Sequence, residues 1–401
     1  MLKSKDNGPK KNGPLEVNTI SVARPNRLVC VETWVTGSAP SDDGWGDVKP
    51  FLFVRLTTSD GTIGWGEAFV LPCREKAVAE IIQALGQVIM AGDVITPRTF
   101  RELAYRIADK HRGLDYMAAT SAIEIALWDI TAKQAELPLY EILGASGNQQ
   151  VSVYANCWSK PNPTITHFVD RTHALLVQGF RSMKIHTSQF STVKEASDCV
   201  AQLYDTFGDE IDLMLDLGAP KNIEQSLELA SAIAPFKPYW FEEPADGEDI
   251  QALIEIRKKT GLRVMTGEKQ CGVPHFKTIL AVGAADILNP DIAGVGGILD
   301  MLEISALAHA KGVAISPHCW DSMTVAAAAM LHVCASIPNA EKAEIYPEYI
   351  SNCERIGTIG FTLKNGQAFL SDQPGLGVEM NVEVLAVVAT DYRISSLPNR
   401  H

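Results

Sequence analysis

Three acidic residues recur at matching places in this 401-residue chain. Asp216 closes Leu213-Met214-Leu215-Asp216, Glu242 lies in Trp240-Phe241-Glu242-Glu243, and Glu268 ends the stretch Arg263–Glu268. The two intervals are 26 and 26 residues. Each acid ends a short apolar run, as residues do at the C-terminal ends of successive parallel strands. Carboxylates gathered at one mouth repel one another unless a cation lies between them. Hard oxygen donors with open coordination positions suit Mg²⁺. Asp216, Glu242 and Glu268 are therefore the candidate metal ligands; as solvated loop acids they would share no such spacing.

The next strands supply a base. Asp291 lies in Asn289-Pro290-Asp291 and His318 in Ser316-Pro317-His318. Neighbouring strand ends would set the carboxylate against the imidazole, fixing its tautomer and raising its basicity. An earlier strand ends Lys184-Ile185-His186, and strand alternation puts Lys184 and His186 on one face. Lys184 suits a substrate carboxylate or an oxyanion, and His186 a proton transfer from the face opposite His318. Glu344, at the end of the last such strand, is a further candidate for bonding a developing enolate if protonated; Glu341 and Glu348 are close competitors. Together these residues suit abstraction of a proton next to a carboxylate. That proton is too weakly acidic for an unaided imidazole, so fixed positive charge has to stabilise the enediolate.

Such a site needs a parallel barrel to assemble it. Eight β-rich stretches recur from residue 150: Val153–Trp158, Ser182–His186, Asp212–Gly218, Tyr239–Pro244, Arg263–Glu268, Ile287–Ala293, Val313–Cys319 and Glu341–Tyr346. Helical segments such as Thr166–Gln178, Val193–Phe207, Ile223–Ile233 and Ile298–Ala310 separate them. This rhythm predicts a (β/α)-barrel of modified TIM type over 148–355. The preceding 15–147 reads as an α+β domain, with a hairpin through Ser59-Asp60-Gly61 and helices at Glu75–Ile89, Pro97–Lys110 and Met117–Gln134. The tail 356–401 is expected to return to that domain, and Met1–Pro14 to form a disordered arm without an apolar leader.

A net charge of −13 disfavours a nucleic-acid partner, which would need a basic face. No apolar run reaches the roughly 18–20 residues of a membrane span. Eight scattered cysteines without a CxxC pair point to reduced thiols in a cytoplasmic protein. Gly294-Val295-Gly296-Gly297 resembles a dinucleotide loop only superficially, because it follows the sixth strand of a barrel rather than the first of a doubly wound sheet.

With these residues in place, the chain resembles the mandelate racemase subgroup of the enolase superfamily from about Leu15 onward. The likeness rests on Lys184-Ile185-His186, Asp216, Trp240-Phe241-Glu242-Glu243-Pro244, Gly267-Glu268, Asp291, His318 and Glu344, with Gly64-Trp65-Gly66-Glu67 and Pro374-Gly375-Leu376-Gly377 outside the barrel. It implies a first domain that caps the barrel and selects a small carboxylate substrate through loops such as Gly37–Trp45 and Phe69–Arg74. It also implies Mg²⁺ and a homo-oligomer. The Pro317-His318-Cys319-Trp320 stretch is most similar to members that dehydrate sugar acids, which makes a hydro-lyase the leading expectation. A racemase or epimerase is the alternative, and a lactone cycloisomerase a third. Two positions depart from the subgroup: His186 stands where a second Lys is common, and Gly218 where Asn often follows the first ligand.

Overall fold

A computed structural model of the chain describes residues 27–37, 50–92, 96–145, 149–157, 163–220, 222–320 and 324–397. The predicted arm Met1–Pro14, most of the Gly37–Trp45 loop and the strand end at Trp158 lie outside the described residues.

The first domain is a four-stranded antiparallel sheet covered by helices. Strands β1 (Leu28–Thr36), β2 (Phe51–Thr58) and β3 (Ile63–Ala68) form a meander. The β2–β3 turn is held by Asp60, whose carboxylate accepts from Thr58 Oγ1 at 2.6 Å and from the Thr62 N–H at 3.0 Å. Helices α1 (Glu75–Ala91), α2 (Pro97–Ala108) and α3 (Leu114–Gln134) follow. Val78, Ala79, Ile82, Leu85 and Ile89 form the buried stripe of α1, with the spacing expected of an amphipathic helix. By contrast α3 is buried nearly all round, because the sheet lies on one side and the barrel on the other.

Close approach of β3 to α3 explains the glycines of Gly64-Trp65-Gly66-Glu67. A Cβ on Gly66 would lie 1.9 Å from the Ala122 carbonyl oxygen, a backbone atom that cannot swing aside. Between these glycines the Trp65 N–H donates to Asp129 at 2.9 Å. The other oxygen of that buried carboxylate accepts from the Leu376 N–H at 2.8 Å, while Lys133 pairs with the first at 3.0 Å. One acid on α3 thus ties both outlying motifs together.

Eight parallel strands make the second domain: β4 (Gln150–Asn156), β5 (Ser182–His186), β6 (Asp212–Asp216), β7 (Trp240–Glu242), β8 (Val264–Thr266), β9 (Ile287–Leu288), β10 (Ala314–Ile315) and β11 (Ala343–Ile345). β11 pairs with β4, and the ring closes between β10 and the approach to β11. There the Ile315 N–H donates to the Asn339 carbonyl at 2.8 Å, and the Glu341 N–H to the Ile315 carbonyl at 2.8 Å. Tyr154, Met214, Trp240, Met265 and Ile287 fill the interior. Several strands are shorter than their β-rich sequences suggest. Pro244, Pro290 and Pro317 lack the N–H that a parallel ladder needs, so the continuous strands end before them, with a single further bridge between Asp291 and His318, and the polar residues around them sit at the rim.

Beyond the barrel, strands β12 (Phe361–Lys364) and β13 (Gln367–Leu370) form a hairpin that adds antiparallel to β4. The chain then crosses to the first domain, where β14 (Ala389–Ser396) pairs antiparallel with β1. The hairpin therefore extends the barrel wall, and the last strand completes the cap sheet. None of the eight cysteines is in a disulfide. Among the described residues no helix is long and apolar enough to cross a membrane.

Buried acids of the cap also join it to the barrel. Glu67 accepts from the Ala326 N–H at 2.9 Å and Thr324 Oγ1 at 3.2 Å, at the start of helix Val325–Ser336. Glu124 accepts from the Ile298 and Leu299 N–H groups at 2.7 and 3.0 Å, at the start of helix Ile298–His309. In both, a carboxylate meets the unsatisfied amides and positive end of a helix. Substituting Gly66→Ala should cost about 1–3 kcal/mol through overpacking. For a chain of 401 residues that corresponds to a drop of roughly 1–4 °C in the thermal unfolding midpoint. An unchanged midpoint would show that β3 and α3 are not in this contact.

Candidate active site

Strand register brings the acids to one level. His186 on β5 is level with Asp216 on β6, which is level with Glu242 on β7. Glu268 follows the end of β8, where the backbone turns through Gly267 at φ 140°. One oxygen each from Asp216, Glu242 and Glu268 lies within 4.8 Å of the others. Beneath them Lys184 is 1% exposed. Its Nζ donates to Glu344 at 2.8 Å and Glu242 at 3.0 Å, and lies 3.5 Å from Asp216. The competing acids lie elsewhere: Glu341 pairs with Arg263 at 2.8 Å and Glu348 with Arg171 at 2.6 Å.

On the far side, His318 Nδ1 lies 2.7 Å from Asp291 Oδ2, and His318 Nε2 lies 3.8 Å from Glu268. The other Asp291 oxygen accepts from the Ala293 N–H at 2.8 Å, so the carboxylate is fixed before it orients the ring. His186 is held differently. Its Nδ1 lies 3.2 Å from Asp216, and its Nε2 lies 3.3 Å from the Asn156 amide nitrogen. Both hydrogens of that NH₂ group go to shorter partners, Glu344 and the Tyr346 hydroxyl, so the tautomer is set by Asp216, which accepts from Nδ1–H and leaves the Nε2 lone pair without a full hydrogen bond from Asn156.

The protonation pattern follows from crowding of charge in a buried place. Burial, reinforced by Asp216 and Glu268, pushes Glu242 well above the usual carboxylate range despite Lys184. Burial likewise lifts Glu268 to about 7, though His318 pulls the other way. Glu344 goes down to about 2, because Lys184, His318 and the Cys319 N–H at 2.8 Å outweigh its burial. Its carboxylate is thus held towards the ionised form, in which it accepts from Lys184 and the Cys319 amide. Burial, with Lys184, lowers His186 to about 4, so this imidazole is neutral. Burial opposes protonation of His318 too, yet Glu268 and Asp291 raise it to about 10.

Acids that resist sharing their charge this closely are a fitting donor set for a divalent cation. Adjacent octahedral positions around Mg²⁺ are about 3 Å apart, within easy closure of the observed cluster. Asp216, Glu242 and Glu268 are the residues that would hold it.

Four polar neighbours were not singled out from the sequence. Asn156 donates to Glu344 at 2.7 Å and to the Tyr346 hydroxyl at 2.8 Å. Asn289 donates to Glu242 at 3.0 Å and lies 3.5 Å from Glu268, bridging two of the acids. Lys269 binds Glu243 at 3.2 Å, while Glu243 also accepts from Thr266 Oγ1 at 2.7 Å, so the second Glu of Trp240-Phe241-Glu242-Glu243 braces the turn that presents Glu268. Asn156 and Asn289 sit at strand ends, where an amide reads as an ordinary turn residue. Gly218, at φ 63°, donates its N–H to Asp216 at 2.8 Å and leaves the cavity wall open beside it.

These groups line a cavity of about 510 Å³ between barrel and cap, with His186, Asp216, Glu268 and His318 on its floor. Phe69, Leu71 and Leu114 reach over it from the first domain, and Phe69 is anchored by its N–H on the Ala293 carbonyl at 3.0 Å. Of the two loops read as candidate selectors, Phe69–Arg74 therefore borders the site. Residues 38–45 of the other lie outside the described residues.

Comparison with known proteins agrees with this architecture. A D-gluconate dehydratase of Thermoproteus tenax is 28% identical over 365 residues, spanning 88% of this chain and 72% of that protein. A D-galactonate dehydratase of Pectobacterium atrosepticum is 27% identical over 351 residues, spanning 84% of this chain and 90% of the relative. Among solved structures, an enolase from the Sargasso Sea environmental genome shares 39% identity with a TM-score of 0.89, covering 92% of this chain and 99% of its own. A 3,6-anhydro-D-galactonate cycloisomerase from Zobellia galactanivorans shares 25% identity with a TM-score of 0.82, over 91% of this chain and 100% of its own. Residues 44–144 match the mandelate racemase / muconate lactonizing enzyme N-terminal domain, and residues 167–384 match the enolase C-terminal domain-like family. The chain is therefore a member of the mandelate racemase / muconate lactonizing enzyme family of the enolase superfamily.

Proposed function

We propose that the protein is a Mg²⁺-dependent hydro-lyase that converts a sugar acid to its 2-keto-3-deoxy acid. The observation that carries this reading is the His318–Asp291 pair beside the carboxylate cluster, at 2.7 Å, in a cavity sized for a small acid. The sugar-acid dehydratases at 27–28% identity support the choice of reaction within the family.

His318 acts as the base. Asp291 holds Nδ1–H, which leaves Nε2 to take the α-proton, and the C–H electron pair passes into the enediolate. When bound, a divalent cation supplies fixed positive charge for the substrate carboxylate and takes up the Glu268 charge that otherwise keeps His318 protonated. Lys184 adds positive charge from beneath the floor, with Glu344 and Asn156 fixing its position. The enediolate expels the β-hydroxyl as that oxygen receives a proton, giving water and an enol that tautomerises to the 2-keto acid. His318, now an imidazolium, carries the proton for that departure.

Assigning both proton steps to one histidine follows from how His186 is held. Its Nδ1 is engaged by Asp216, and burial keeps the ring neutral, so it makes a poor acid. A racemase needs a base on one face of the carbon and a protonated group on the other, and a His186 ring held neutral is poorly suited to supply that proton, which disfavours the alternative. We assign Asn289 the role of spacing Glu242 and Glu268 for the cation.

Three outcomes test these assignments. A screen of acid sugars with Mg²⁺, read as semicarbazone of a 2-keto acid, should yield a hit; silence with α-proton exchange persisting in D₂O would move the reading to racemisation or cycloisomerisation. His318→Asn should lower kcat by at least 10²–10⁴-fold while Mg²⁺ affinity stays near wild type, and retained turnover would sink the role of His318. Asn289→Ala should weaken Mn²⁺ binding, titrated by electron paramagnetic resonance, about 10–100-fold; unaltered affinity would leave Asn289 a bystander.

A further inference from the structure

Proton abstraction by His318 leaves negative charge on the substrate carboxylate oxygens, and hydrogen-bond donors aimed at that charge lower the barrier. The sequence offers Glu344, at the end of β11, as such a donor. In the structure Glu344 is completely buried and is not among the groups that line the cavity. One of its oxygens takes Lys184 Nζ at 2.8 Å and the Asn156 amide at 2.7 Å, and the other takes the Cys319 N–H at 2.8 Å. Three donors on one carboxylate make it an acceptor, with no hydrogen to give.

Two residues on, Tyr346 does line the cavity. Alternation puts it on the same face as Glu344 and one step nearer the barrel mouth. Strands β11 and β4 run parallel with Ile345 level with Ala155, so Tyr346 comes beside Asn156. The Asn156 amide gives one hydrogen to Glu344 and the other to the Tyr346 hydroxyl oxygen, at 2.8 Å. Glu344 decides that orientation, because a carboxylate repels an amide oxygen. The phenol oxygen is therefore an acceptor on its Asn156 side, and its own hydrogen is turned away from Asn156. The ring is fixed edge-on to Tyr349, with centroids 6.2 Å apart. Of the other polar lining groups, Ser188 lies beside Gly218 and Lys269 beside Glu268, while His186 gives its Nδ1–H to Asp216. Among the described residues, Tyr346 is thus the cavity-lining donor next to the Lys184–Glu344 pair.

We infer that Tyr346 is a catalytic residue of the proton-abstraction step, its hydroxyl donating a hydrogen bond to an enediolate oxygen above the Lys184–Glu344 pair. His318 Nε2 takes the α-proton, and the C–H electron pair becomes the second bond between the α-carbon and the carboxylate carbon. The carbonyl π pair moves onto oxygen, where Tyr346 meets it without giving up its own proton. Asn156 is then a positioning residue, since one amide ties the phenol to the carboxylate that fixes Lys184. The inference rests on the enediolate of the proposed reaction, and not on which group leaves afterwards.

A matched pair of small ligands separates this role from a structural one. The preformed nitronate of nitroethane is planar at the carbon that stands for the α-carbon and carries negative charge on both oxygens, as an enediolate does. Propionate is the corresponding ground state. In the Mg²⁺-loaded enzyme, Tyr346→Phe should weaken nitronate binding, measured calorimetrically, by about 10- to 100-fold. Propionate should lose distinctly less, because its two oxygens share a single charge. Mn²⁺ affinity should stay at the wild-type value, showing an intact cluster. Equal weakening of both ligands would mark Tyr346 as a prop for Asn156 and overturn the inference, as would unchanged nitronate affinity. With any acid of the screen that the enzyme acts on, the same variant should slow α-proton exchange in D₂O and dehydration together, by about 10²–10³-fold; exchange at the wild-type rate would overturn the assignment. Selective loss of the nitronate in an enzyme that dehydrates no sugar acid would uphold the role of Tyr346 and overturn the dehydratase reading. Dehydration with both ligands weakened alike would do the reverse.

Discussion

Mutual repulsion among buried carboxylates is the constraint around which the molecule is organised. Asp216, Glu242, Glu268, Asp291 and Glu344 converge on one barrel mouth, against two histidines, the buried Lys184 and, at the rim, Lys269, which is shared with Glu243. In such surroundings unit charges a few ångströms apart interact several-fold more strongly than in water. The structure answers with Lys184 among three of the acids, with backbone N–H donors on Asp216 and Glu344, and with raised proton affinity at Glu242 and Glu268. A site this short of positive charge favours a divalent cation, and the same deficit sets the two histidines apart. His186, walled in with Lys184 near, is neutral, whereas His318 lies against Glu268 and Asp291 and gains a proton.

Holding this arrangement requires a rigid rim, which explains the cost of building the cap. Glu67 and Glu124 leave the first domain to meet the first amides of two barrel helices, and Asp129 binds Trp65, Leu376 and Lys133 at once. The two outlying motifs shared with the family are therefore structural. They fix the cap on the barrel, and through Phe69 and Leu114 they set the ceiling of the cavity.

Much of this was legible in the chain. The three acids at equal intervals could be read because parallel strands repeat at helix-plus-strand spacing, and register then makes Asp216 and Glu242 neighbours. Ser182–His186, Val193–Phe207 and Ile223–Ile233 coincide with their elements, since clear capping residues and polarity changes mark their ends. Less could be read where the function of a residue depends on strands distant in sequence. Asn156 meets Glu344 across the β4–β11 pair, 188 residues away, and Asn289 meets Glu242 over 47, and neither contact leaves a local pattern. The protonation state of Glu344 was equally hidden, because it follows from Lys184, His318 and the Cys319 amide together. The hairpin Phe361–Leu370 attaches to β4 at Gln150–Ser152, ahead of the residues that pair with β5 and β11, a fact of topology rather than composition.

The most direct test of the electrostatic account is the thermal midpoint of the wild-type chain measured against Mg²⁺ concentration at neutral pH. A cation that binds only the folded cluster must stabilise it by mass action, by about 2.7 kcal/mol at a hundredfold excess over Kd. The account predicts a midpoint that rises steadily with the logarithm of Mg²⁺ once the site fills. A midpoint that stays level through millimolar Mg²⁺ would show that Lys184 and the protonated acids already satisfy the cluster, and the claim that this site is built for a cation would fail.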